Sequence, residues 1–171
     1  MSKTVGIGII GMGFMGQTHA RAYRAAADDG LACELRAVCD RDADRRAGIP
    51  TAAGNIGSDR AAARLFDPKT VAGYAEVDAL LADDGVDLVS ICTHTDTHVD
   101  LALKALDAGK HVLVEKPVAV RLDEIERLRD RAAKTRLLCV PAMCIRRWPG
   151  WSDLKPMIES GEHGRVVHAR F

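Results

Sequence analysis

The sequence feature that most constrains the fold is a run of glycines close to the amino terminus. An apolar, β-branched segment, Val5–Ile10, leads directly into Gly-x-Gly-x-x-Gly at Gly11, Gly13 and Gly16, and a helical pattern follows. A strand, a glycine turn and a helix in this order are typical of a loop that binds a dinucleotide. The helix N-terminus offers free N–H groups and the positive end of a dipole to phosphates. A glycine-rich turn without a ligand is the alternative that the motif alone leaves open.

Each glycine of the motif is expected to have its own role. Gly11 allows a tight turn as the chain leaves the strand, and Gly13, which has no Cβ, lets a pyrophosphate approach the backbone. Gly16 lets the new helix pack closely against the strand. These roles depend on the surrounding elements, so the rest of the chain decides whether the motif binds a ligand.

Segments with strand patterns alternate with segments with helical patterns along most of the chain. This order predicts an α/β fold with a doubly wound, mostly parallel sheet, which is a Rossmann fold. Strands are expected at residues 5–10, 35–40, 71–74, 86–93, 110–117 and 137–140. Helices are expected at 14–27, 42–47, 76–83, 97–108 and 122–134, with another helical turn at 61–66. The helix at 97–108 carries an apolar stripe of Val99, Ala102, Leu103 and Leu106.

The composition limits the size and the partners of the chain. Its 171 residues, 47% of them hydrophobic, suffice for one domain, or for one domain and the start of another. The 24 basic and 24 acidic residues cancel, and no basic run is present, which argues against nucleic acid or an anionic membrane as a partner. No apolar run approaches the ~20 residues of a membrane span, and residues 1–10 lack the pattern of a secretory signal.

The cysteines are odd in number and form no Cys-x-x-Cys pair. Most of them lie in apolar segments, which indicates reduced core thiols in a cytoplasmic protein rather than disulfides or a zinc site. They are Cys33, Cys39, Cys92, Cys139 and Cys144.

An acidic residue stands at the end of the second expected strand. Asp40 follows Gly16 at close to the spacing of ~20 residues expected for the acid that binds the adenosine ribose. A carboxylate accepts two hydroxyl hydrogen bonds and repels a 2′-phosphate, so Asp40 favours NAD. Arg41 follows directly, and its guanidinium is able to accommodate that phosphate, which leaves NADP open. An ordinary loop acid is the alternative.

A longer segment gives the chain a family resemblance. Residues 109–117 read Gly-Lys-His-Val-Leu-Val-Glu-Lys-Pro, and they accompany the glycine motif, Asp40, the run Ser-Ile-Cys-Thr at 90–93 and His98. Together these residues resemble the Gfo/Idh/MocA oxidoreductases, which include glucose–fructose oxidoreductase and inositol dehydrogenase, over nearly all of the chain. The resemblance implies an N-terminal Rossmann domain that binds NAD or NADP. It also implies a larger C-terminal α/β domain with the substrate pocket, and hydride transfer at a CH–OH group of a sugar, an inositol or a related polyol.

The resemblance also implies roles for particular residues. Lys116 is the expected catalytic residue, which hydrogen-bonds the substrate hydroxyl that becomes a carbonyl and assists proton transfer. Pro117 is expected to follow a cis peptide bond, and Glu115 to orient Lys116 or contact the cofactor. The expected cofactor-binding residues are Gly11, Gly13, Phe14, Met15, Gly16, Asp40, Arg41, Thr93, His94, His98, Glu115 and Lys116.

Two histidines have less specific interpretations. His94 stands where relatives usually carry proline, so it either lies beside the cofactor or is a simple substitution in a loop. His19, in the first helix, is expected to be a packing or surface histidine.

The same resemblance implies that the end of the chain corresponds to the start of the family's second domain. We expect a Rossmann domain at 1–145, then a crossover and an incomplete substrate domain at 146–171, with a helix at 154–160 and a strand at 164–171. Arg146 keeps an arginine that is common at this crossover, and Arg147 displaces the usual aromatic residue. The family's remaining catalytic residues, an Asp and a His, belong to the C-terminal domain, so the sequence is expected to be truncated, with a sugar-like substrate bound only in the complete enzyme.

Other functions remain open at this point. A dinucleotide-binding module without catalysis, or an inactive fragment, would carry the same glycine turn and Asp40. A methyltransferase-like fold also uses a glycine-rich turn and an acid, but Glu115, Lys116 and Pro117 argue against it. Self-association into a homo-oligomer is left open as well.

Overall fold

The computed structural model describes residues 3–50 and 63–170. These residues form two compact units that divide between Pro141 and Ala142. The first unit holds the sheet and its helices, and the second holds a short 3-10 turn and one helix.

Six parallel strands form one sheet in the first unit. The strand order is β3-β2-β1-β4-β5-β6, so the chain starts in the middle and winds outwards in both directions. The prediction of a doubly wound parallel sheet is confirmed. The strands are β1 (Val5–Ile10), β2 (Cys33–Cys39), β3 (Ala72–Tyr74), β4 (Leu88–Ile91), β5 (His111–Val114) and β6 (Cys139–Pro141). The helices are α1 (Phe14–Asp28), α2 (Ala43–Arg46), α3 (Val77–Leu81), α4 (Thr95–Asp107) and α5 (Leu122–Ala132).

Two hydrophobic clusters cover the two faces of this sheet. Successive side chains of a strand point to opposite faces, and the neighbours Ile9 and Ile10 accordingly belong to different clusters. One cluster packs the expected stripe of α4, including Ala102 and Leu106, against β4 and β5. The other packs Ala20 of α1 against β1 and β2. Burial of both faces explains why the strands are rich in valine and isoleucine.

Some element boundaries differ from the sequence predictions. β4 and β5 are shorter than the expected segments, because the chain turns away at the carboxyl edge of the sheet soon after Ile91 and Val114. The backbone of Cys92 and Glu115 still donates hydrogen bonds to the neighbouring strand, at 2.8 and 3.0 Å. α4 begins two residues early because His94 takes the N-cap position. Of the helical turn expected at 61–66, residues 61–62 lie outside the described residues and residues 63–66 are not helical.

The second unit contains the expected helix but not the expected strand. Helix α6 (Trp151–Ser160) ends at Gly161, whose φ of 69° gives the left-handed C-cap that glycine favours. The prediction of a strand at 164–171 is wrong for the described residues 164–170, which have no regular secondary structure. A strand needs a neighbour to pair its N–H and C=O groups, and the described residues of this unit contain no other strand.

Two further features concern the whole described chain. No helix within residues 3–50 or 63–170 has both the length and the apolar character that crossing a membrane requires. All five cysteines are free thiols, and Cys144 is the exposed one.

Candidate functional site

The carboxyl ends of four strands stand in one row. Cys39, Ile10, Ile91 and Val114 are register partners across β2, β1, β4 and β5. The residues that follow them in the chain are Asp40, Gly11, Cys92 and Glu115. The topology therefore brings the predicted glycine turn, the predicted ribose acid and the segment before Lys116 to one edge of the sheet. In open α/β sheets, ligands bind at this edge.

The turn after β1 requires glycine at Gly11. Its φ is +87°, and a Cβ at this position would lie 2.9 Å from the carbonyl oxygen of Cys92 and from Cγ2 of Thr93. The N–H group of Gly11 donates to the carbonyl oxygen of Cys39 at 2.8 Å, which ties the turn to β2. The tight turn that the motif predicts is present, with both a backbone and a steric reason for glycine.

Gly13 and Gly16 have opposite surroundings. A Cβ on Gly16 would lie 2.0 Å from the carbonyl oxygen of Gly11, so α1 packs directly against the end of β1. A Cβ on Gly13, the N-cap residue of α1, would meet no atom within 4 Å. The first turn of α1 has no acidic side chain, and the side chain of Phe14 is exposed while Met15 is half-buried. This open, uncharged helix N-terminus fits a bound pyrophosphate.

Asp40 is fixed beside the glycine turn. Its Oδ2 accepts a hydrogen bond of 2.7 Å from the backbone N–H of Met12, and its Oδ1 accepts one of 2.9 Å from the backbone N–H of Asp42. Nη1 of Arg45 lies 3.7 Å from Oδ2. Each carboxylate oxygen has more than one lone-pair site, so this side chain retains acceptor capacity for ribose hydroxyls. Arg41 is exposed next to it, and its carbonyl oxygen accepts from Arg46 at 2.9 Å.

The two histidines that follow β4, one at the start of α4 and one within it, have different surroundings. His94 is exposed at the N-cap of α4. His98 is only 1% exposed, and its ring nitrogens lie 2.9 Å from the carbonyl oxygen of Pro117 and 3.1 Å from that of Thr93. Buried in this way, His98 connects the loop after β4 to the loop after β5 and does not face the open edge. Thr93 contributes its hydroxyl to a bond of 2.7 Å with Thr97.

The loop after β5 presents Lys116 at the edge. Lys116 is exposed, and the peptide bond between Lys116 and Pro117 is cis, as the sequence analysis expected. Glu115 is buried, at 5% exposure, and its Oε2 accepts a hydrogen bond of 3.0 Å from the backbone N–H of Lys116. Of the two roles expected for Glu115, this contact corresponds to orienting Lys116.

A buried polar contact beneath Lys116 was missed by sequence reasoning. Nε2 of His19 lies 3.0 Å from Oε1 of Glu115, and its Nδ1 lies 2.6 Å from Oγ of Ser90. The hydroxyl of Tyr23 donates to the same Oγ at 3.4 Å. The expectation of a packing or surface histidine did not include these contacts: the His19 side chain is largely buried, and both of its ring nitrogens have polar partners. The available signal was a serine inside the apolar strand β4, with a histidine and a tyrosine one turn apart on α1.

Two thiols near this edge remain protonated at neutral pH. Burial raises the pKa of Cys92 to about 12, and burial together with the Asp40 carboxylate raises the pKa of Cys39 to about 11. Only a thiolate is a good nucleophile, so neither thiol is activated for nucleophilic attack in this structure. Within the described residues, no group of three or more His, Cys, Asp and Glu side chains is placed to hold a metal ion.

Comparison with known proteins identifies the family of the chain. The profile of an oxidoreductase family with an NAD-binding Rossmann fold, Gfo/Idh/MocA, matches residues 5–142. Inositol 2-dehydrogenase 3 of Saccharopolyspora erythraea is 31% identical over 167 residues, which cover 97% of this chain and 44% of that protein. The scyllo-inositol 2-dehydrogenase (NAD(+)) of Bacillus subtilis is 35% identical over 89 residues, which cover 52% of this chain and 26% of that protein.

A solved structure gives the same assignment. The crystal structure of an NAD binding oxidoreductase from Klebsiella pneumoniae superposes with a TM-score of 0.74 at 30% identity, covering 94% of this chain and 39% of that one. The chain spans less than half the length of each of these three relatives. The family match includes the whole sheet, the glycine turn, Asp40 and the segment at 109–117. The chain therefore belongs to the Gfo/Idh/MocA oxidoreductase family and carries its NAD-binding Rossmann domain.

Proposed function

We propose that this chain is the cofactor-binding part of an NAD-dependent dehydrogenase that acts on a CH–OH group of a sugar, an inositol or a related polyol. The observation that carries the proposal is the common edge, where the glycine turn, Asp40 and Lys116 follow strand ends that stand in register. The substrate class is supported by the two inositol dehydrogenases described above, which are among the chain's relatives.

Different residues along this edge bind the pyrophosphate, the adenosine ribose and the substrate hydroxyl. The open N-terminus of α1 at Gly13 binds the pyrophosphate, and Asp40 accepts hydrogen bonds from the adenosine ribose. When bound, NAD supplies the acceptor for the hydride that leaves the carbinol carbon. Nζ of Lys116 hydrogen-bonds the substrate hydroxyl and assists the departure of its proton. The other substrate contacts are proposed to come from a separate substrate domain, as the family resemblance implies.

We also propose that the protein works in the cytoplasm. All five cysteines are free thiols, including the exposed Cys144. Free thiols are kept in this form in a reducing compartment.

The identity of the cofactor is tested by changing Asp40. Wild-type chain is expected to bind NADH more tightly than NADPH, because the Asp40 carboxylate repels a 2′-phosphate. In Asp40→Ser the charge is removed while Arg41 remains, so the preference for NADH should fall by about tenfold, or about 1.4 kcal/mol. Calorimetric titration with both nucleotides measures this ratio.

The matched control is Asp44→Ser. Asp44 is an exposed acid in the first turn of α2, and its removal changes the net charge equally. This variant should keep the wild-type ratio of the two affinities. A ratio in Asp40→Ser that equals that of the control would contradict the assignment of Asp40 to the ribose.

A further inference from the structure

Four polar side chains lie together behind Lys116, on the side of the sheet that α1 covers. We call them the His19 network, and its members are His19 and Tyr23 from α1, Ser90 from β4 and Glu115 from the end of β5. Ser90 and Glu115 are buried, so their polar atoms require hydrogen-bond partners. No buried side-chain N or O atom within the described ranges lacks such a partner. The buried polar atoms of the network are thus paired within the protein.

The chemistry of the groups fixes the direction of the central contact. The ionised carboxylate of Glu115 only accepts hydrogen bonds, so His19 must donate to it from Nε2. The other ring nitrogen, Nδ1, faces the hydroxyl of Ser90 at 2.6 Å. His19 therefore connects β4 to the end of β5 by one contact on each side of its ring.

The carboxylate of Glu115 accepts two hydrogen bonds. Nε2 of His19 donates to Oε1, and the backbone N–H of Lys116 donates to Oε2. If the first contact is lost, the carboxylate is left with a buried oxygen that lacks a partner, and it gains freedom to rotate. The hydrogen bond to the Lys116 backbone is the contact that such a rotation breaks.

We propose that His19 is a positioning residue for Lys116, and that it acts through Glu115. Helix α1 begins at the glycine turn and carries His19 in its second turn, so one helix connects the phosphate end of the site with the Lys116 end. The inference rests on the proposed function insofar as Lys116 is the group that meets the substrate. The physical claim, that His19 holds the Lys116 backbone in place, is independent of any cofactor.

Two amide variants of His19 separate positioning from packing. Glutamine places its amide N–H₂ near the position of Nε2, whereas asparagine reaches only the position of Nδ1. His19→Gln therefore retains a donor for Glu115, and His19→Asn retains only the contact with Ser90. Both replace the ring by a smaller amide, so a loss of packing alone would affect them in the same direction.

The readout is the backbone amide of Lys116 in the cofactor-free 171-residue chain, followed by ¹H–¹⁵N NMR and its hydrogen exchange. In His19→Asn the exchange of this amide should accelerate by about tenfold or more, because its local opening becomes easier. In His19→Gln it should stay within about twofold of wild type. Equal exchange in both variants, or no change in His19→Asn, would overturn the proposal. Tyr23→Phe serves as a control that removes a hydroxyl on the far side of the network and should leave this amide unchanged.

A measurement on the unmodified chain covers the case in which a variant fails to fold. The ¹⁵N spectrum of the His19 ring should show the proton on Nε2, protected from exchange by Glu115. A proton found only on Nδ1 would refute the proposal without any variant. Failure of the chain to bind NAD would count against the proposed function and would leave both of these cofactor-free results unaffected.

Discussion

The variant Gly13→Asp is expected to lose NAD binding while it remains as stable as the wild-type chain. Gly13 is the N-cap residue of α1 and has no side chain to cap the helix. A Cβ added at this position would have no atom within 4 Å. Aspartate is among the favoured N-cap residues, so the helix gains a few tenths of a kcal/mol. The same open space is where the pyrophosphate approaches, and the new side chain adds both bulk and negative charge there. We expect the affinity for NADH to fall by about a hundredfold or more, or about 2.7 kcal/mol.

The charge and the bulk of this side chain are separable. Gly13→Asn caps the helix equally well and has nearly the same shape, but it carries no charge. Its loss of affinity should be smaller than that of Gly13→Asp, and the difference measures repulsion of the phosphates. Calorimetry gives the affinities, and thermal unfolding gives the stability. Full NADH affinity in Gly13→Asp would show that the pyrophosphate does not lie on this helix N-terminus.

The variant Gly16→Ala is expected to be less stable than wild type by about 3 kcal/mol, which is the upper end of the usual cost of overpacking. In an ordinary helix interior, replacing glycine by alanine stabilises by up to about 1 kcal/mol. Here the new Cβ would lie 2.0 Å from the carbonyl oxygen of Gly11. That oxygen belongs to the backbone of a turn that is tied to β2, so it cannot move away without disturbing the sheet.

Urea unfolding followed by circular dichroism measures this cost. Gly13→Ser is the control, since it adds a Cβ three residues earlier, where nothing lies within 4 Å, and serine is a favoured N-cap residue. The control should unfold close to the wild-type midpoint, and Gly16→Ala at a clearly lower urea concentration. A midpoint for Gly16→Ala at or above that of wild type would contradict the close packing of α1 against β1.

Local patterns account for the features that the sequence predicted well. The strand, turn and helix around Gly11 are encoded within a dozen residues, and the stripe of α4 has a helical period. Asp40 was predicted as a site residue from its position after a strand. The carboxyl ends of parallel strands lie at one edge of the sheet, irrespective of the loop conformations. These predictions needed no knowledge of which side chains meet.

Contacts between distant residues account for what the sequence did not predict. His19 and Glu115 are far apart in the chain, and only the folded sheet with α1 packed on it brings them within 3.0 Å of each other. The burial of His98 between two loops depends on how both loops turn. Residues 164–170 do not form the expected strand, because strand formation requires a pairing partner in addition to β-forming residues.

The segment at 109–117, which carried the family resemblance, contains residues with structural contacts as well as Lys116, whose catalytic role is proposed above. Nζ of Lys110 is buried and donates to the carbonyl oxygens of Asp83 and Val86 at 2.9 and 2.8 Å, so it fastens the loop before β4. Nδ1 of His111 accepts from the backbone of Leu138 at 2.9 Å, beside β6. The two lysines of this segment therefore lie in different surroundings: Lys110 precedes β5 and is buried, whereas Lys116 follows β5 and is exposed.

The central claim is that NAD lies along one edge of the sheet, from Gly13 past Asp40 to Lys116. It is tested most directly by titrating the ¹⁵N-labelled chain with NADH and following its backbone amides by NMR. The amides of Gly13, Asp40 and Lys116 should shift together with a single dissociation constant, while those of Gly85 and Gly109, before β4 and β5 at the opposite edge, should stay in place. Shifts confined to that opposite edge, or no shift at either Gly13 or Lys116, would contradict the account.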